Sequence, residues 1–320
     1  GVPSAYATFV GYDEVAHHSG VESYDALDTL RKLDVQFARL EHAARDAPRP
    51  YHLVVLSDHG QSGGATFKQR YGINLQELVQ QYAKAFHVQG IMETNESWWH
   101  VNVLVNDAIQ NDKRTAKALK RVTKGQTEDG EVKLGPDEHD EGLEVGAHVL
   151  VLASGNLGLV YGTRLEERAT LEQIELVYPG LLHGLASHEG VGWLMVHSED
   201  QGPVVIGDNG RYYLADNRIE GQNPLAGFGP NARDHLLRYN QFPDVPDIYV
   251  NSFYNAETNE VAAFEELIGC HGGMGGYQTR PFLLYPAELD ITEPDLVGAP
   301  AVYRQLKTWL KQTHAEPVAG

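Results

Sequence analysis

The spacing of apolar residues changes once within the first fifty positions, and this change predicts a strand followed by a long helix. Residues 5–12 (AYATFVGY) have the apolar and aromatic character of a buried strand. After a polar turn at residues 13–20, apolar residues recur at helical spacing from Leu27 to Leu40. This pattern predicts a helix over roughly residues 22–46.

A second strand is predicted directly after this helix. Residues 52–57 (HLVVLS) form a short apolar run that is typical of a buried parallel strand, and Asp58 follows it. The order strand, helix, strand predicts a right-handed crossover unit. The polar residues after both strands are then expected at one edge of the sheet, where open α/β sheets bind ligands.

Helical and strand patterns alternate along the rest of the chain. The sequence predicts a helix at 74–86 capped by Asn74, a strand at 100–105 and a helix at 108–122. Strands at 147–154 and 157–162 are expected to be joined by a tight turn at Gly155 and Asn156. Further strands are predicted in VGWLMVHS, PVVIG, RYYLA and DIYVNSF, and a last helix at 301–313 opened by Pro300. We expect one α/β domain over residues 1–320, with a mostly parallel central sheet and helices on both faces.

A charged, glycine-rich stretch interrupts this alternation. Residues 123–145 contain few apolar positions, which favours a mobile surface insertion with bounds near residues 107–146. It is the best candidate for a subdomain boundary in the chain.

Charge and composition exclude some classes of function. The formal net charge of −19 disfavours a scaffold for nucleic acid or anionic lipid. It leaves a phosphate substrate possible, because bound divalent cations can reverse the local field. With Cys270 as the single cysteine, no intrachain disulfide can form. No apolar run approaches about 18 residues, so we expect a soluble chain.

Asp13 and His17, in YDEVAHHSG, are the first candidate ligands. A carboxylate and an imidazole four residues apart can meet at one cation if a turn or a helical start brings them together. Such a pair suits zinc, manganese or iron better than calcium. The spacing alone supports equally a capped turn in which Asp13 accepts backbone hydrogen bonds and His17 is exposed.

Asp58 and His59 are the second candidate pair. Adjacent side chains point to opposite sides of a strand, so both can face one site only where the chain turns, which Gly60 permits. The alternative is a turn in which Asp58 bonds neighbouring amides.

His271 lies in a loop that contains five glycines between positions 269 and 276. This density of glycine indicates a close-packed backbone near a metal or an anion, and favours a ligand role for His271. Arg280 is a candidate phosphate contact, although a structural salt bridge is the preferred interpretation. Cys270 is expected to be a small buried apolar residue, because it points away if His271 points in.

Taken together, these motifs resemble the alkaline phosphatase superfamily, and within it the nucleotide pyrophosphatase and phosphodiesterase branch. The order DxxxHxxG, SDHG and a distant HG loop carries the resemblance, and SGNLGLVYGT, AAFEELIGCHGG and GGYQTRPFLLYP are similar to large bacterial membrane-associated members. The resemblance implies that one metal ion is bound by Asp13, His17 and His271, and a second by Asp58 and His59. Zinc is expected, with manganese as the alternative.

The resemblance also implies a Ser or Thr nucleophile and a further Asp ligand, both located before the DxxxH motif. Only twelve residues precede Asp13, and neither Ser4 nor Thr8 is suited to the role. Since the chain begins with Gly1, we expect a fragment whose nucleophile lies upstream, within a membrane-associated bacterial parent. The parent is expected to hydrolyse phosphate esters with two metal ions, and the isolated chain to be inactive.

Other functions stay open. One is a noncatalytic metal-binding regulatory domain, and another is a sulfatase or phosphomutase on the same scaffold. His18 is a candidate substrate contact, with an exposed bystander as the simpler interpretation. Trp98 and Trp99 could stack on a nucleobase, but packing is the preferred role. The sequence does not define an oligomeric state.

Overall fold

An eight-stranded sheet is the largest unit of the structure, a computed structural model that describes residues 2–84, 86–91, 127–128, 131–132, 148–164 and 167–315. The strands in chain order are β1 (Val55–Leu56), β2 (Ser62–Gly63), β3 (Val88–Ile91), β4 (Thr127–Glu128), β5 (Glu131–Val132), β6 (Val149–Ser154), β7 (Leu157–Gly162), β8 (Val191–Ser198), β9 (Gly202–Gly207), β10 (Gly210–Tyr213), β11 (Arg218–Gly221), β12 (Ile248–Ser252), β13 (Tyr254–Asn255), β14 (Glu260–Val261), β15 (Gly269–Cys270) and β16 (Leu283–Leu284).

The helices lie between these strands and at both ends of the described chain. They are α1 (Gly11–Ser19), α2 (Tyr24–Arg45), α3 (Phe67–Tyr71), α4 (Leu75–Ala83), α5 (Leu171–Val177), α6 (Leu181–Ala186), α7 (Ala232–Tyr239) and α8 (Gly298–Ala315), with a 3-10 turn at Gly276–Thr279.

The large sheet has the order β11-β10-β9-β8-β12-β7-β6-β3. Its strand pairs are antiparallel except β3 with β6, so the predicted mostly parallel sheet is wrong. Short turns join β6 to β7 and β8 through β11 in succession, and a short turn can join only antiparallel neighbours. The chain is α/β, but its sheet is mixed.

Helices cover both faces of this sheet, as predicted. Along β8, Trp193 and Met195 belong to one apolar cluster and Leu194 and Val196 to the other, because successive side chains point to opposite faces. Helices α4, α5 and α6 pack in the cluster of Leu194, and α7 packs in the cluster of Trp193. The site described below lies where a smaller sheet meets this layered core.

Several predicted elements are confirmed close to their expected bounds. The helix predicted at 22–46 is α2, whose cap Ser23 accepts a hydrogen bond from the Ala26 amide at 3.1 Å. Asn74 caps α4 with the reciprocal bonds of a capping box. The strands β6 to β10 and β12 occur where apolar runs predict them, and α8 contains Pro300 in its first turn.

The predicted strand at residues 5–12 is wrong. Residues 2–9 are exposed and form no strand, and Tyr6 retains 84% of its surface. The helix α1 begins at Gly11 instead, and occupies the expected polar turn. Acidic residues such as Asp13 favour a helical first turn because they complement the helix dipole.

The predicted crossover unit is also absent from the described residues. β1 is half-buried and covers only two residues of the expected strand. It pairs antiparallel with β16, so the strand at 52–57 is not a buried parallel strand. A parallel crossover needs two strands in one sheet, and the segment before α1 provides none.

Some predictions fall outside the described residues. These are the strand at 100–105, the helix at 108–122, Trp98 and Trp99, and most of the insertion at 107–146, within which β4 and β5 pair antiparallel. Among the described helices, none combines the length and the apolar content that a membrane span requires.

Candidate metal centre

A four-stranded sheet of order β13-β14-β2-β15 brings distant segments together at the site. β2 pairs antiparallel with β15, with Ser62 opposite Cys270, and His271 follows β15 directly. The end of α1 joins the same edge, since the Ile268 amide donates to the His17 carbonyl at 2.9 Å. The elements that carry the candidate ligands are therefore connected by backbone hydrogen bonds.

Asp13, His17 and His271 form a compact cluster, as expected from the sequence. Oδ2 of Asp13 lies 3.4 Å from Nε2 of His17 and 3.8 Å from Nε2 of His271. The spacing of four residues places Asp13 and His17 on one face of α1. Their candidate ligand atoms and that of His271 all lie within 4.8 Å of one another.

The main chain orients His17 for a ligand role. Its Nδ1 lies 2.7 Å from the Gly269 carbonyl, which can only accept, so Nδ1 carries a proton and donates. In the neutral ring, Nε2 then holds the lone pair, and it faces Asp13. Metal-binding histidines commonly have this second bond, which fixes the ring and its tautomer.

The charges of Asp13 and His17 are coupled. Burial raises the pKa of Asp13, but hydrogen bonds from His17, His271 and Gln61 outweigh burial and hold this pKa well below its usual range. Burial lowers the pKa of His17, whereas the Asp13 carboxylate and the Gly269 carbonyl raise it more, and the net pKa is raised. Without a metal, each residue therefore stabilises the charged form of the other.

The donor set fits a divalent transition metal. Two ligands at about 2.0 Å from a tetrahedral zinc are separated by roughly 3.3 Å, close to the 3.4 and 3.8 Å observed. Three protein ligands and an open position are typical of catalytic zinc sites. Carboxylate and imidazole together also suit manganese or iron.

His59 lies beside this cluster, whereas Asp58 does not join it. The His59 ring stacks on the His271 ring with centroids 3.7 Å apart. Its Nδ1 lies 3.0 Å from the Gly60 carbonyl, which leaves Nε2 as the nitrogen available to a ligand. Asp58 Oδ1 lies 3.6 Å from Nε2 of His59, so the predicted pair is adjacent in space. The Asp58 side chain is nevertheless 82% exposed, and it also accepts the His59 amide at 3.1 Å, as in the alternative prediction of a satisfied turn.

His18 and Arg280 are exposed, and neither joins the cluster. His18 Nε2 lies 3.7 Å from Glu14, one turn earlier on α1. The Arg280 guanidinium lies 5.8 Å from the centre of the Tyr277 ring. Their roles in substrate binding stay predictions.

Cys270 is buried, as predicted, and 1% of its surface is accessible. Burial, assisted by the nearby Glu265 carboxylate, raises the pKa of its thiol to about 12. The thiol is therefore protonated at neutral pH and is a poor metal ligand or nucleophile.

Two asparagines that the sequence prediction did not assign to the site hold the loop after His271. Asn251 accepts the Met274 amide at 2.7 Å, and Asn156 donates to the Met274 carbonyl at 3.0 Å. Asn156 also accepts the Gly273 amide at 3.1 Å. A polar asparagine within the apolar run DIYVNSF is the sequence signal that could have identified Asn251, which the structure buries in β12.

Gln61 is a third residue that the sequence prediction missed. Its side-chain amide donates to both the main-chain carbonyl and the carboxylate of Asp13. The only available signal was its position directly after the SDHG motif.

The fold and the cluster define the class as α/β proteins with a candidate divalent-metal centre. A family model, type I phosphodiesterase / nucleotide pyrophosphatase, matches residues 5–218, which is more than half of the chain. The chain belongs to this family of phosphoric ester hydrolases, and the family is part of the alkaline phosphatase superfamily. The matched range includes Asp13, His17, Asp58 and His59 and ends before His271. No curated protein and no solved structure matches the chain significantly.

Proposed function

We propose that the chain carries the metal centre of a phosphate ester hydrolase that uses two divalent metal ions. The observation that carries the proposal is the cluster of Asp13, His17 and His271, whose ligand atoms converge from α1 and the loop after β15. Membership of a phosphodiesterase family supplies the reaction class, and the donor set supplies the metal type.

Each residue has a distinct role in this proposal. Asp13, His17 and His271 hold the first ion, with zinc favoured and manganese as the alternative. His59, stacked on His271, and the neighbouring Asp58 contribute to a second ion. Bound divalent ions would neutralise charge on the phosphoryl group and make an oxygen nucleophile available near neutral pH.

The remaining roles rest on the resemblance and on position. The nucleophile is proposed to be a Ser or Thr located before the DxxxH motif, and neither Ser4 nor Thr8 is suited to that role. Arg280, exposed after the His271 loop, and His18, exposed beside His17, are proposed contacts for the phosphate ester. The exposed Asp58 makes the second metal site weaker than the first in this chain.

Zinc titration of the chelator-treated protein tests the metal centre. We expect one tightly bound zinc and a second bound weakly, measured by calorimetry and elemental analysis. His17→Ala should abolish tight binding, because it removes one of three ligands. His18→Ala is the matched control on the same helix and should retain it. If the unaltered chain binds no zinc even when zinc is supplied in excess, the proposal is overturned.

Hydrolysis of aryl phosphate mono- and diesters tests the assignment of the nucleophile. With zinc added, we expect little or no turnover by this chain. Brisk hydrolysis that His271→Ala abolishes, but that survives replacement of each Ser and Thr, would show that water is the nucleophile. It would contradict the proposed side-chain nucleophile and leave the metal centre intact.

A further inference from the structure

Gln61 connects the segment of Asp58 and His59 to the helix that carries Asp13. It lies between Gly60 and β2, and its Nε2 donates to the Asp13 carbonyl at 3.1 Å and to Oδ1 of the Asp13 carboxylate. One amide group therefore ties the side chain of Asp13 to its own backbone. The contact joins positions that are 48 residues apart.

The chemistry of the partners fixes the orientation of this amide. Both Asp13 oxygens that it approaches are acceptors, so the NH2 group must face them. Oε1 of Gln61 is buried and has no hydrogen-bond partner within the part of the chain that the structure describes. It packs beside Gly269, where a Cβ atom would approach it to 2.7 Å. A buried amide oxygen without a partner is rare in native proteins.

The two carboxylate oxygens of Asp13 have different surroundings. Oδ1 accepts a hydrogen bond from Gln61, while Oδ2 faces the Nε2 atoms of His17 and His271. The Asp13 side chain is 40% exposed, so packing alone does not prevent its rotation towards solvent. The hydrogen bond from Gln61 opposes that rotation.

We propose that Gln61 is a positioning residue that holds Oδ1 of Asp13 so that Oδ2 is presented to a divalent cation. The inference rests on the proposed metal centre and adds a residue to it. Outer hydrogen-bond partners of metal ligands commonly change metal affinity by about 10–100-fold when they are removed. Gln61 meets that description although it binds no metal itself.

The variant Gln61→Met tests the proposal, because methionine fills a similar volume but donates no hydrogen bond. We expect zinc affinity to fall by about 10–100-fold, measured by competition with a chelating dye. Gln305→Met is the matched control. Gln305 lies in α8, is 1% exposed, and bonds to Asp290 and Thr292 rather than to a candidate ligand. Its zinc affinity should equal that of the unaltered protein.

Cys270 provides an internal reporter that separates positioning from local unfolding. It lies opposite Ser62 in the pairing of β15 with β2, and Ser62 is the residue after Gln61. If that pairing is intact, the buried thiol resists a soluble thiol reagent in metal-free protein. We expect Gln61→Met to keep this protection while it weakens zinc binding.

The outcomes distinguish the two proposals. If the unaltered protein binds no zinc, the metal centre fails, and the positioning role fails with it. If the unaltered protein binds zinc and Gln61→Met binds equally well, only the positioning role is overturned. If Gln61→Met exposes the Cys270 thiol together with its loss of affinity, Gln61 is a structural residue and the positioning role is again overturned.

Discussion

Asp13 and His17 face each other across one turn of α1, and each changes the ionisation of the other. Because the pKa of Asp13 is lowered, its ionised form stabilises the fold at pH values above 3.8, the ordinary pKa of this group. This contribution is lost as the pH falls through the lowered pKa. Because the pKa of His17 is raised, its protonated form stabilises the fold at pH values below 6.5, the ordinary pKa of this group. This contribution is lost as the pH rises through the raised pKa.

The first prediction follows from these opposite shifts. In metal-free protein, Asp13→Asn should lower the melting temperature most at about pH 5, where both groups are charged. The effect should shrink at a second pH above the raised pKa of His17, where the ring is neutral. Thermal unfolding in the presence of a chelator measures this difference.

Asp28→Asn is the control for this prediction. Oδ2 of Asp28 lies 2.8 Å from Nζ of Lys32 on the exposed face of α2. Lysine stays charged at both pH values. Its effect should be small and similar at both pH values. An equal effect of Asp13→Asn at both values would contradict the proposed coupling with His17.

At the scale of elements, the turn between β6 and β7 supports the loop of His271. Gly155 has a φ of +55°, and a Cβ atom there would lie 1.8 Å from the His271 carbonyl oxygen. Its amide donates to Glu265. The turn therefore approaches the loop too closely for any side chain, and this contact sets the distance between the large sheet and the metal centre.

We predict that Gly155→Ala displaces the His271 loop and weakens zinc binding. Gly72→Ala is the matched control, because Gly72 has a φ of +74° at the end of α3 with no atom within 4 Å of its Cβ position. Gly72→Ala should cost only the strain of about 1–2 kcal/mol expected for an L-residue in this region. Gly155→Ala should be clearly more destabilising in urea unfolding and should reduce zinc affinity. Equal destabilisation of both variants, with unchanged zinc binding, would contradict this role.

The elements differ in how far local sequence determined them. The capping residues Ser23 and Asn74 and the short turn at Gly155 act within a few positions, so α2, α4 and the β6–β7 pair were predictable. Residues 5–12 have the same apolar pattern whether or not a partner strand is present. A strand needs that partner for its backbone hydrogen bonds, and the described residues contain none for this segment.

At the scale of the whole molecule, the candidate ligands come from opposite parts of the chain. Asp13 and His17 are on α1, and His271 follows 254 positions after His17. A metal bound by all three would connect α1 to the loop after β15, and would bind the folded chain much better than the unfolded one. Metal binding should therefore stabilise the fold as a whole.

The last prediction is that zinc raises the melting temperature of the chain. At a free zinc concentration of 100 times Kd, the stabilisation should be about 2.7 kcal/mol, since only the folded state has the assembled site. His271→Ala should remove the increase, and the exposed His235→Ala on α7 should retain it. An identical increase in His271→Ala, measured by calorimetry, would place the stabilising zinc elsewhere.

The sequence by itself determined the helical and strand periodicities, the caps, the turn at Gly155 and the three motifs with Asp13, Asp58 and His271, because each depends on neighbours in the chain. The direction of the strand pairs, the exposure of residues 2–9 and the exposure of the Asp58 side chain were decided by tertiary structure. So were the contacts of Gln61, Asn156 and Asn251 with residues at least 23 positions away. Such contacts depend on which distant segments meet, and no local pattern of apolar and polar residues specifies that.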